Sequence, residues 1–209
     1  MFSISSSDNA ALDKAADILR NGGVAIIPTD TVYGLAAHPG HPEAVARLQT
    51  IKARENPKPV ALLIDAPETL ARFFQTSSNP QIPKSPNLQI PNLPPLAQGL
   101  AKRYWPGALT LVLETPNGTE GFRVPNHAFC RALLARCGGA LRVTSANLTG
   151  QMPATSAAEA LAALGLTADL LVDDGPSPGG LASTVLRIAA DNTPALLREG
   201  AIPFFECQN

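Results

Sequence analysis

Short apolar runs recur along the chain, and each is bounded by polar residues, glycine or proline. This pattern is typical of buried β-strands. It predicts strands over residues 24–27, 60–64, 108–113, 122–124, 140–144, 170–172, 184–188 and 195–197.

The segments between these runs carry helical periodicity. They predict helices over residues 8–20, 42–52, 65–74, 126–136 and 156–164, and another that ends near residue 104. Asp8, Asn126 and Ser156 are the predicted N-caps, and Ser156 with Glu159 forms a capping box. Because helices alternate with strands and several strands follow one another directly, we expect an α/β fold with a mixed sheet.

The periodicity stops in one segment, at about residues 76–95. This segment contains prolines at positions 80, 83, 86, 91, 94 and 95, with serine, asparagine and glutamine between them. Such a composition favours an extended, mobile insertion. We therefore predict a single domain over residues 1–209 with a peripheral proline-rich insertion.

Composition narrows the possible functions. A formal net charge of −1 argues against a general nucleic-acid binder, which is usually strongly basic. The three cysteines form no C-x-x-C pair and the three histidines are scattered, so we expect reduced thiols and no metal centre. No apolar run has the length of a membrane helix, and residues 1–9 do not resemble a signal peptide, which predicts a cytoplasmic protein.

Polar side chains follow the first predicted strand, in the stretch PTDTVYGLAA. In α/β proteins the ends of strands are where ligands bind. Thr29 and Thr31 offer hydroxyl groups there, and Tyr33 offers a stacking face. The alternative is a threonine-rich strand end with local hydroxyl-to-backbone hydrogen bonds.

Three cations lie close together just before the second predicted strand. Lys52, Arg54 and Lys58 fall within seven residues, and Pro57 and Pro59 stiffen the backbone. Such a cluster suits a phosphate chain. The alternative is a solvated helix C-terminus, where cations are favoured by the helix dipole.

Other strand ends carry further polar groups. Ser145 and Asn147, followed by Thr149 and Gly150, form a candidate anion-binding nest. Ser183 and Arg198 flank two later apolar runs, although capped turns can look the same. For the same reason residues 173–175, Asp-Asp-Gly, are interpreted as a turn rather than a metal site. The chain contains no P-loop, no G-x-G-x-x-G fingerprint and no G-x-S-x-G motif.

Taken in order, seven motifs resemble the threonylcarbamoyl-AMP synthase family, which has the YrdC-like fold, in its short bacterial form. They are PTDTVYGL, K-x-R-x-x-x-K-P, WPGALTLVL, FRVPNH, TSANLTG, STVL and LREGAI. The resemblance implies a twisted mixed sheet, flanked by helices, with a concave basic cavity.

The resemblance also implies an enzyme, a nucleotidyltransferase that converts ATP, L-threonine and bicarbonate into threonylcarbamoyl-AMP and pyrophosphate. The product would supply the threonylcarbamoyl group of the t6A modification in tRNA, with a separate protein complex performing the transfer. Mg²⁺ is expected with ATP and no tightly bound cofactor is expected. A weak tRNA contact is possible and a membrane contact is not expected.

By resemblance, Thr31, Arg123 and Ser183 match the residues that contact threonine. The residues that match the ATP-contacting set are Lys52, Arg54, Lys58, Thr119, Ser145, Asn147 and Arg198. Of these, Lys52 and Arg54 are the catalytic candidates. The sequence departs from the family at Leu63, where longer members often have a histidine, and at Glu55, where proline is common.

Two other functions are compatible with the sequence. One is a non-catalytic RNA-binding module of the same fold, although a near-neutral charge and few aromatic side chains are unusual for such a module. The other is a paralogue that adenylates a different carbamate.

Overall fold

The computed structural model of the protein describes residues 1–53, 59–74 and 93–208. Arg54, Lys58 and residues 76–92 of the predicted insertion lie outside the described residues. No helix of the described part is long and apolar enough to cross a membrane.

One mixed sheet organises the part of the chain that the structure describes. Its strands are β1 (Phe2–Ser5), β2 (Val24–Ile27), β3 (Gly34–Ala37), β4 (Leu62–Ile64), β5 (Leu109–Thr115), β6 (Gly118–Arg123), β7 (Ala140–Ser145), β8 (Leu170–Asp173), β9 (Thr184–Ile188) and β10 (Pro194–Arg198). They lie in the order β1-β8-β2-β3-β7-β4-β6-β5-β9-β10. Four neighbouring pairs are parallel (β1/β8, β8/β2, β4/β6 and β5/β9) and the others are antiparallel, which confirms the predicted mixed α/β sheet.

In the first half of the sheet, around β8, β2 and β3, helices cover both faces. The helices are α1 (Ala11–Arg20) and α4 (Ala128–Arg136) on one face, and α2 (Pro42–Ile51) and α5 (Ala157–Leu164) on the other. Alternate residues of β2 point to opposite faces, so Ile27 packs in the core with α1 while Ile26 packs in the core with α2. Every residue of β2 and β3 is therefore buried.

In the second half, around β6, β5 and β9, the helices that the structure describes cover only one face. The covering elements are α3 (Pro95–Tyr104) and a 3₁₀ helix (Pro67–Phe73). Leu109, Leu111 and Leu113 of β5 point into this core, where Trp105 also donates its indole N–H to the carbonyl of Leu109 at 2.7 Å. The opposite face of these strands is the floor of a cavity.

Several boundaries differ from the predictions. Strands β1 and β3 were not predicted, β6 begins four residues earlier than expected, and the helix expected at 65–74 is a 3₁₀ helix. Strand β1 has only two apolar residues, Phe2 and Ile4, alternating with serines, and it is mostly exposed. Strand β3 is a short, mostly small-residue segment directly after a polar motif, so neither has the longer apolar run on which the strand predictions were based.

Two of the three predicted N-caps were wrong in detail. Helix α4 is capped by His127 rather than Asn126, because the imidazole Nδ1 accepts the Cys130 N–H at 3.3 Å. Asp8 lies before the first turn of α1 and accepts the Ala10 N–H instead. Ser156 caps α5 as predicted.

Candidate functional site

A cavity of about 500 Å³ lies on the uncovered face of the second half of the sheet. Side chains alternate between the two faces of a strand, so every second residue along part of β5, β6 and the stretch that leads into β9 lines the floor of the cavity. The floor residues are Thr110 and Val112, Thr119, Gly121 and Arg123, and Ser183 and Val185. The volume is typical of small-molecule sites, which span roughly 300–1,000 Å³.

The loop after β2 forms one wall of the cavity, and its two threonines have different roles. The Thr29 hydroxyl donates to the Val32 carbonyl at 2.6 Å and accepts the Val32 N–H at 3.3 Å, so it holds the loop in shape. For Thr29, the structure therefore shows the local hydroxyl-to-backbone hydrogen bonds that were the alternative to ligand binding. Thr31 is different, because its hydroxyl accepts a hydrogen bond from Arg123 Nη1 at 2.8 Å.

The expectation that Tyr33 offers a stacking face was wrong. Its side chain is fully buried among the residues between β2, β3 and α2. Its hydroxyl donates to the Gly175 carbonyl at 2.7 Å and accepts the Asp174 N–H at 3.0 Å, and burial raises the pKa of this phenol. Tyr33 therefore fixes the turn at 173–175 from inside the protein.

Residues 173–175 form a turn, as the sequence predicted. The Asp173 carboxylate accepts the Gly175 N–H at 2.9 Å, and Gly175 has a φ of 72°, which favours glycine. His127 Nε2 lies 3.0 Å from Asp174 Oδ2, so the turn is also attached to the beginning of α4.

Arg123, one of the floor residues, has three partners. Its Nε donates to the Gly107 carbonyl at 2.9 Å, its Nη1 to Thr31, and its Nη2 to Asp30 Oδ1 at 2.5 Å. Burial lowers the pKa of this guanidinium and the charge of Asp30 opposes that shift. Among the described residues, two of its five N–H groups remain without a partner and can serve a ligand.

Arg198 reaches the same cavity from the edge strand β10. Its Nη2 donates to the Ser183 carbonyl at 2.7 Å and to the Ser183 hydroxyl at 3.2 Å. The Ser183 hydroxyl also shares a 2.8 Å hydrogen bond with Thr110. Burial, and then the positive charge of Arg123, lower the pKa of Arg198, so the two guanidinium groups repel each other across a space that suits an anion.

A β-bulge in β10 orients the Arg198 side chain toward the cavity. Leu196 pairs with Leu186, which points into the core, but Arg198 pairs with Val185, which lines the cavity. Leu197 is the extra residue of the bulged strand. In regular pairing Arg198 would lie on the core face, so the bulge turns it toward the cavity.

Lys52 lies beside the cavity, buried, with only 2% of its surface exposed. Its ammonium donates to the carbonyls of Ser145 and Asn147 at 2.6 and 2.7 Å, and to the Asn147 side-chain oxygen at 3.2 Å. The Lys52 carbonyl in turn accepts a hydrogen bond from Thr149. Lys52 therefore holds the loop that follows β7 and positions Ser145 at the cavity wall.

The structure brings most of the predicted site residues together. Those that line the cavity are Thr31, Thr119, Arg123, Ser145, Ser183 and Arg198. Of the other described candidates, Lys52 and Asn147 form the loop behind Ser145 rather than the wall itself. Two arginines are the charged groups among the described lining residues and one of them is paired with Asp30, so the basic character of the cavity stays a prediction.

Two residues of the site were missed by the sequence reasoning. Asp30 lies inside the quoted motif but received no role, and only the fold brings it to Arg123. Thr110 could have been found, because it is the polar member of the alternating stretch L-T-L-V-L in β5. Leu63, at the position of the histidine of longer family members, lines the cavity and is almost completely buried.

The fold and the site define an α/β domain with a ligand cavity on the open face of a mixed sheet. The family described as Telomere recombination, which groups Sua5, YciO and YrdC, matches residues 17–200. The chain belongs to this Sua5/YciO/YrdC family.

Individual relatives agree with this assignment. The chain is 34% identical over 208 residues to threonylcarbamoyl-AMP synthase from Bacillus subtilis, covering 94% of this chain and 55% of that protein. A crystal structure of Pyrococcus abyssi Sua5 complexed with L-threonine superposes with a TM-score of 0.82 at 28% identity, covering 98% of this chain and 58% of that one. The crystal structure of Escherichia coli YciO superposes with a TM-score of 0.75 at 26% identity, covering 95% and 94% of the two chains.

The chain thus spans a little more than half the length of the B. subtilis and P. abyssi proteins that it matches. Its match to YciO extends over nearly the whole of both chains.

Proposed function

We propose that the protein is an L-threonylcarbamoyladenylate synthase, a nucleotidyltransferase that forms threonylcarbamoyl-AMP and pyrophosphate from ATP, L-threonine and bicarbonate. The observation that carries the proposal is one cavity in which Thr31, Arg123, Ser183 and Arg198 converge. The name of the B. subtilis relative and the threonine bound to P. abyssi Sua5 support the same reaction and substrate.

The amino acid would bind at the Arg123 side of the cavity. The two unpartnered N–H groups of Arg123 suit its carboxylate in a bidentate arrangement. Thr31 and Ser183, both within hydrogen-bonding distance of an arginine, offer hydroxyl groups for its other polar atoms. Apolar lining residues such as Leu63 and Val143 suit its methyl group.

The triphosphate would bind toward Arg198, Thr119 and the loop that Lys52 holds. In this arrangement Ser145 contacts ATP directly, while Lys52 and Asn147 keep the loop in place. Arg54 and Lys58 are proposed from the sequence alone to contribute further charge to the phosphates.

The chemistry needs no nucleophile from the protein. The threonine amine adds to carbon dioxide derived from bicarbonate and loses a proton, which gives a carbamate. An oxygen of the carbamate then attacks the α-phosphorus of ATP, the bond to the β-phosphate oxygen breaks, and pyrophosphate leaves. Catalysis would come from positioning and from stabilising the charge on the leaving phosphates.

Mg²⁺ would enter with ATP. None of the described lining residues is a carboxylate, so the ion would be held by phosphate oxygens and water rather than by protein ligands. It would neutralise part of the charge on the leaving pyrophosphate.

The product would serve t6A formation in tRNA. A threonylcarbamoyl-transfer complex would receive it in the cytoplasm, and any contact of this protein with tRNA would be weak.

Mass spectrometry of a reaction with ATP, threonine and bicarbonate tests the proposal. A product with the mass of threonylcarbamoyl-AMP should form together with pyrophosphate, and it should disappear when any one substrate is omitted. Pyrophosphate release with a different amine and none with threonine would instead identify a paralogue. Salt-dependent tRNA binding without any ATP-dependent product would favour the RNA-binding module.

A further inference from the structure

The two arginines of the cavity have different electrostatic partners. Arg123 forms an ion pair with Asp30 in which both side chains are buried, 6% and 10% exposed. Arg198 donates to Ser183, and no carboxylate of the described residues lies within ion-pair distance of it. One side of the cavity is therefore close to neutral and the other is cationic.

Asp30 is held firmly in this position. Its backbone carbonyl accepts the Gly179 N–H at 3.1 Å. A Cβ at Gly179 would come within 2.6 Å of that carbonyl oxygen, so the close approach requires glycine. Asp30 does not line the described cavity wall, whereas its neighbour Thr31 and its partner Arg123 do. It can therefore act on a ligand only through Arg123 and through its charge.

We infer that Asp30 determines which ligands the Arg123 side of the cavity accepts. By cancelling the charge of Arg123, it makes this side suited to an amino-acid zwitterion and unfavourable for a simple anion. This inference rests on the proposed function, because it assigns the amino acid to the Arg123 side.

The physical reason is charge balance in a partly buried space. A zwitterion brings a carboxylate for Arg123 and an ammonium group that the charge of Asp30 favours. The same molecule without its amine brings only negative charge, which Asp30 repels. At an effective dielectric constant near 20, unit charges ~6–8 Å apart change affinity by roughly ten- to a hundredfold.

The test compares two ligands in the wild-type protein, in one variant and in a control variant. Isothermal titration calorimetry on the full chain measures the affinity for L-threonine and for 2,3-dihydroxybutanoate of the same stereochemistry, in which a hydroxyl replaces the amine. Asp30→Asn keeps the shape of the side chain and an oxygen that can accept from Arg123, but removes the charge. Asp13→Asn, which changes an exposed ion pair with Arg136 far along the chain, is the matched control.

The wild-type protein should prefer threonine at least tenfold. Asp30→Asn should lower this preference by about tenfold or more and change the affinity for ATP by less than about threefold, while Asp13→Asn should leave the preference unchanged. The ratio of the two affinities is the deciding quantity, because a general disturbance of the site would lower the affinity for both ligands alike.

The outcomes separate the inference from the proposed function. If Asp30→Asn binds threonine with an unchanged preference, the role of Asp30 is overturned and the proposed function stands. If the wild-type protein does not bind threonine, both are overturned. If Asp30→Asn does not fold, Asp30→Glu, which keeps the charge, should retain the preference, and loss of it would overturn the inference.

Discussion

The two halves of the sheet have the same strand geometry but differ in how their faces are covered. Around β2 and β3, helices cover both faces, and the strand sequences VAII and GLAA are apolar throughout. Around β5 and β9, no helix of the described residues covers one of the two faces, and polar residues alternate with apolar ones, as in LTLVLET and TVLRI. The first half packs in a core on both faces, and the second half contributes side chains to the cavity.

The difference shows how a sequence can indicate a binding face. A strand buried on both faces needs apolar residues at every position, whereas a strand that borders a cavity needs them only at every second position. Thr110, Arg123 and Val185 occupy the open positions of their strands. In this protein, the change from continuous to alternating patterns marks the transition from scaffold to site.

The largest effect is expected from Arg123→Ala. The substitution leaves the buried carboxylate of Asp30 without its partner, which costs ~3–5 kcal/mol of unfolding free energy, and it removes the proposed carboxylate contact. Pyrophosphate release should fall at least about a hundredfold, a loss of roughly 2.7 kcal/mol in transition-state stabilisation.

The control for this prediction is Arg136→Ala, which breaks an ion pair that is about half exposed on both sides. It should change stability by no more than ~1 kcal/mol. Similar melting temperatures for the two variants would show that the buried ion pair is not important for stability.

A pair of leucines tests the contrast between the halves directly. Leu35 of β3 is completely buried, and Leu35→Ala should cost ~2–5 kcal/mol of unfolding free energy in chemical denaturation. Leu197 lies at the cavity mouth with 56% of its surface exposed, and Leu197→Ala should cost no more than ~0.5 kcal/mol. Equal losses of stability would mean that the two halves do not differ as described.

Tyr33→Phe tests whether Tyr33 stabilises the fold through its hydroxyl or stacks on a ligand through its ring. Phenylalanine keeps the aromatic ring but leaves the Gly175 carbonyl and the Asp174 N–H without their partner, so we expect a loss of ~1–3 kcal/mol in unfolding free energy. Denaturant titration measures this loss. Unchanged stability, with a ligand shown to contact the ring, would restore the stacking role.

The smallest effect is expected from Cys130, which belongs to α4 and is buried in the core shared with α1. Its ionisation should change the free energy of unfolding only at alkaline pH. Burial raises the pKa of its thiol from 9.0 to about 12, so the folded state keeps a proton that the unfolded state releases. The corresponding stability is complete below pH 9 and is lost as the pH rises toward 12, by up to ~1.4 kcal/mol per pH unit.

Cys130→Ala removes this titrating thiol. Whatever free energy of unfolding the substitution costs at pH 8, the difference in unfolding free energy between wild type and variant should be ~1.4 kcal/mol smaller at pH 10, as measured by denaturant titration. A difference that does not depend on pH would show that the thiol is not the titrating group.

Most of the sheet could be predicted because its strands are apolar runs with clear ends. The strands that were missed carry no such signal. Strand β1 is an exposed edge that pairs with β8 from residue 2 onward, a contact 168 positions away in the chain, as Phe2 and Leu170 show. Strand β3 follows so closely on the polar motif that its small residues looked like part of a loop.

For the site, residue types could be predicted but not their partners. The sequence placed Ser183 and Arg198 at the edges of apolar runs, the family resemblance selected Arg123, and these residues line one cavity. It could not show that Asp30 forms an ion pair with Arg123, or that Lys52 is buried and donates to the loop after β7, because both depend on contacts between distant segments.

The bulge at Leu197 makes the number of residues in β10 as important as their identity. Pro194 to Arg198 is an exposed edge strand, where most substitutions should be tolerated because little packs against it. Inserting one residue after the bulge would move Arg198 from Val185 to Thr184 and so to the core face, whereas deleting Leu197 would remove the bulge and leave Arg198 opposite Val185. Insertions in this stretch, more than substitutions of its exposed leucines, are therefore expected to inactivate the cavity while leaving the fold intact.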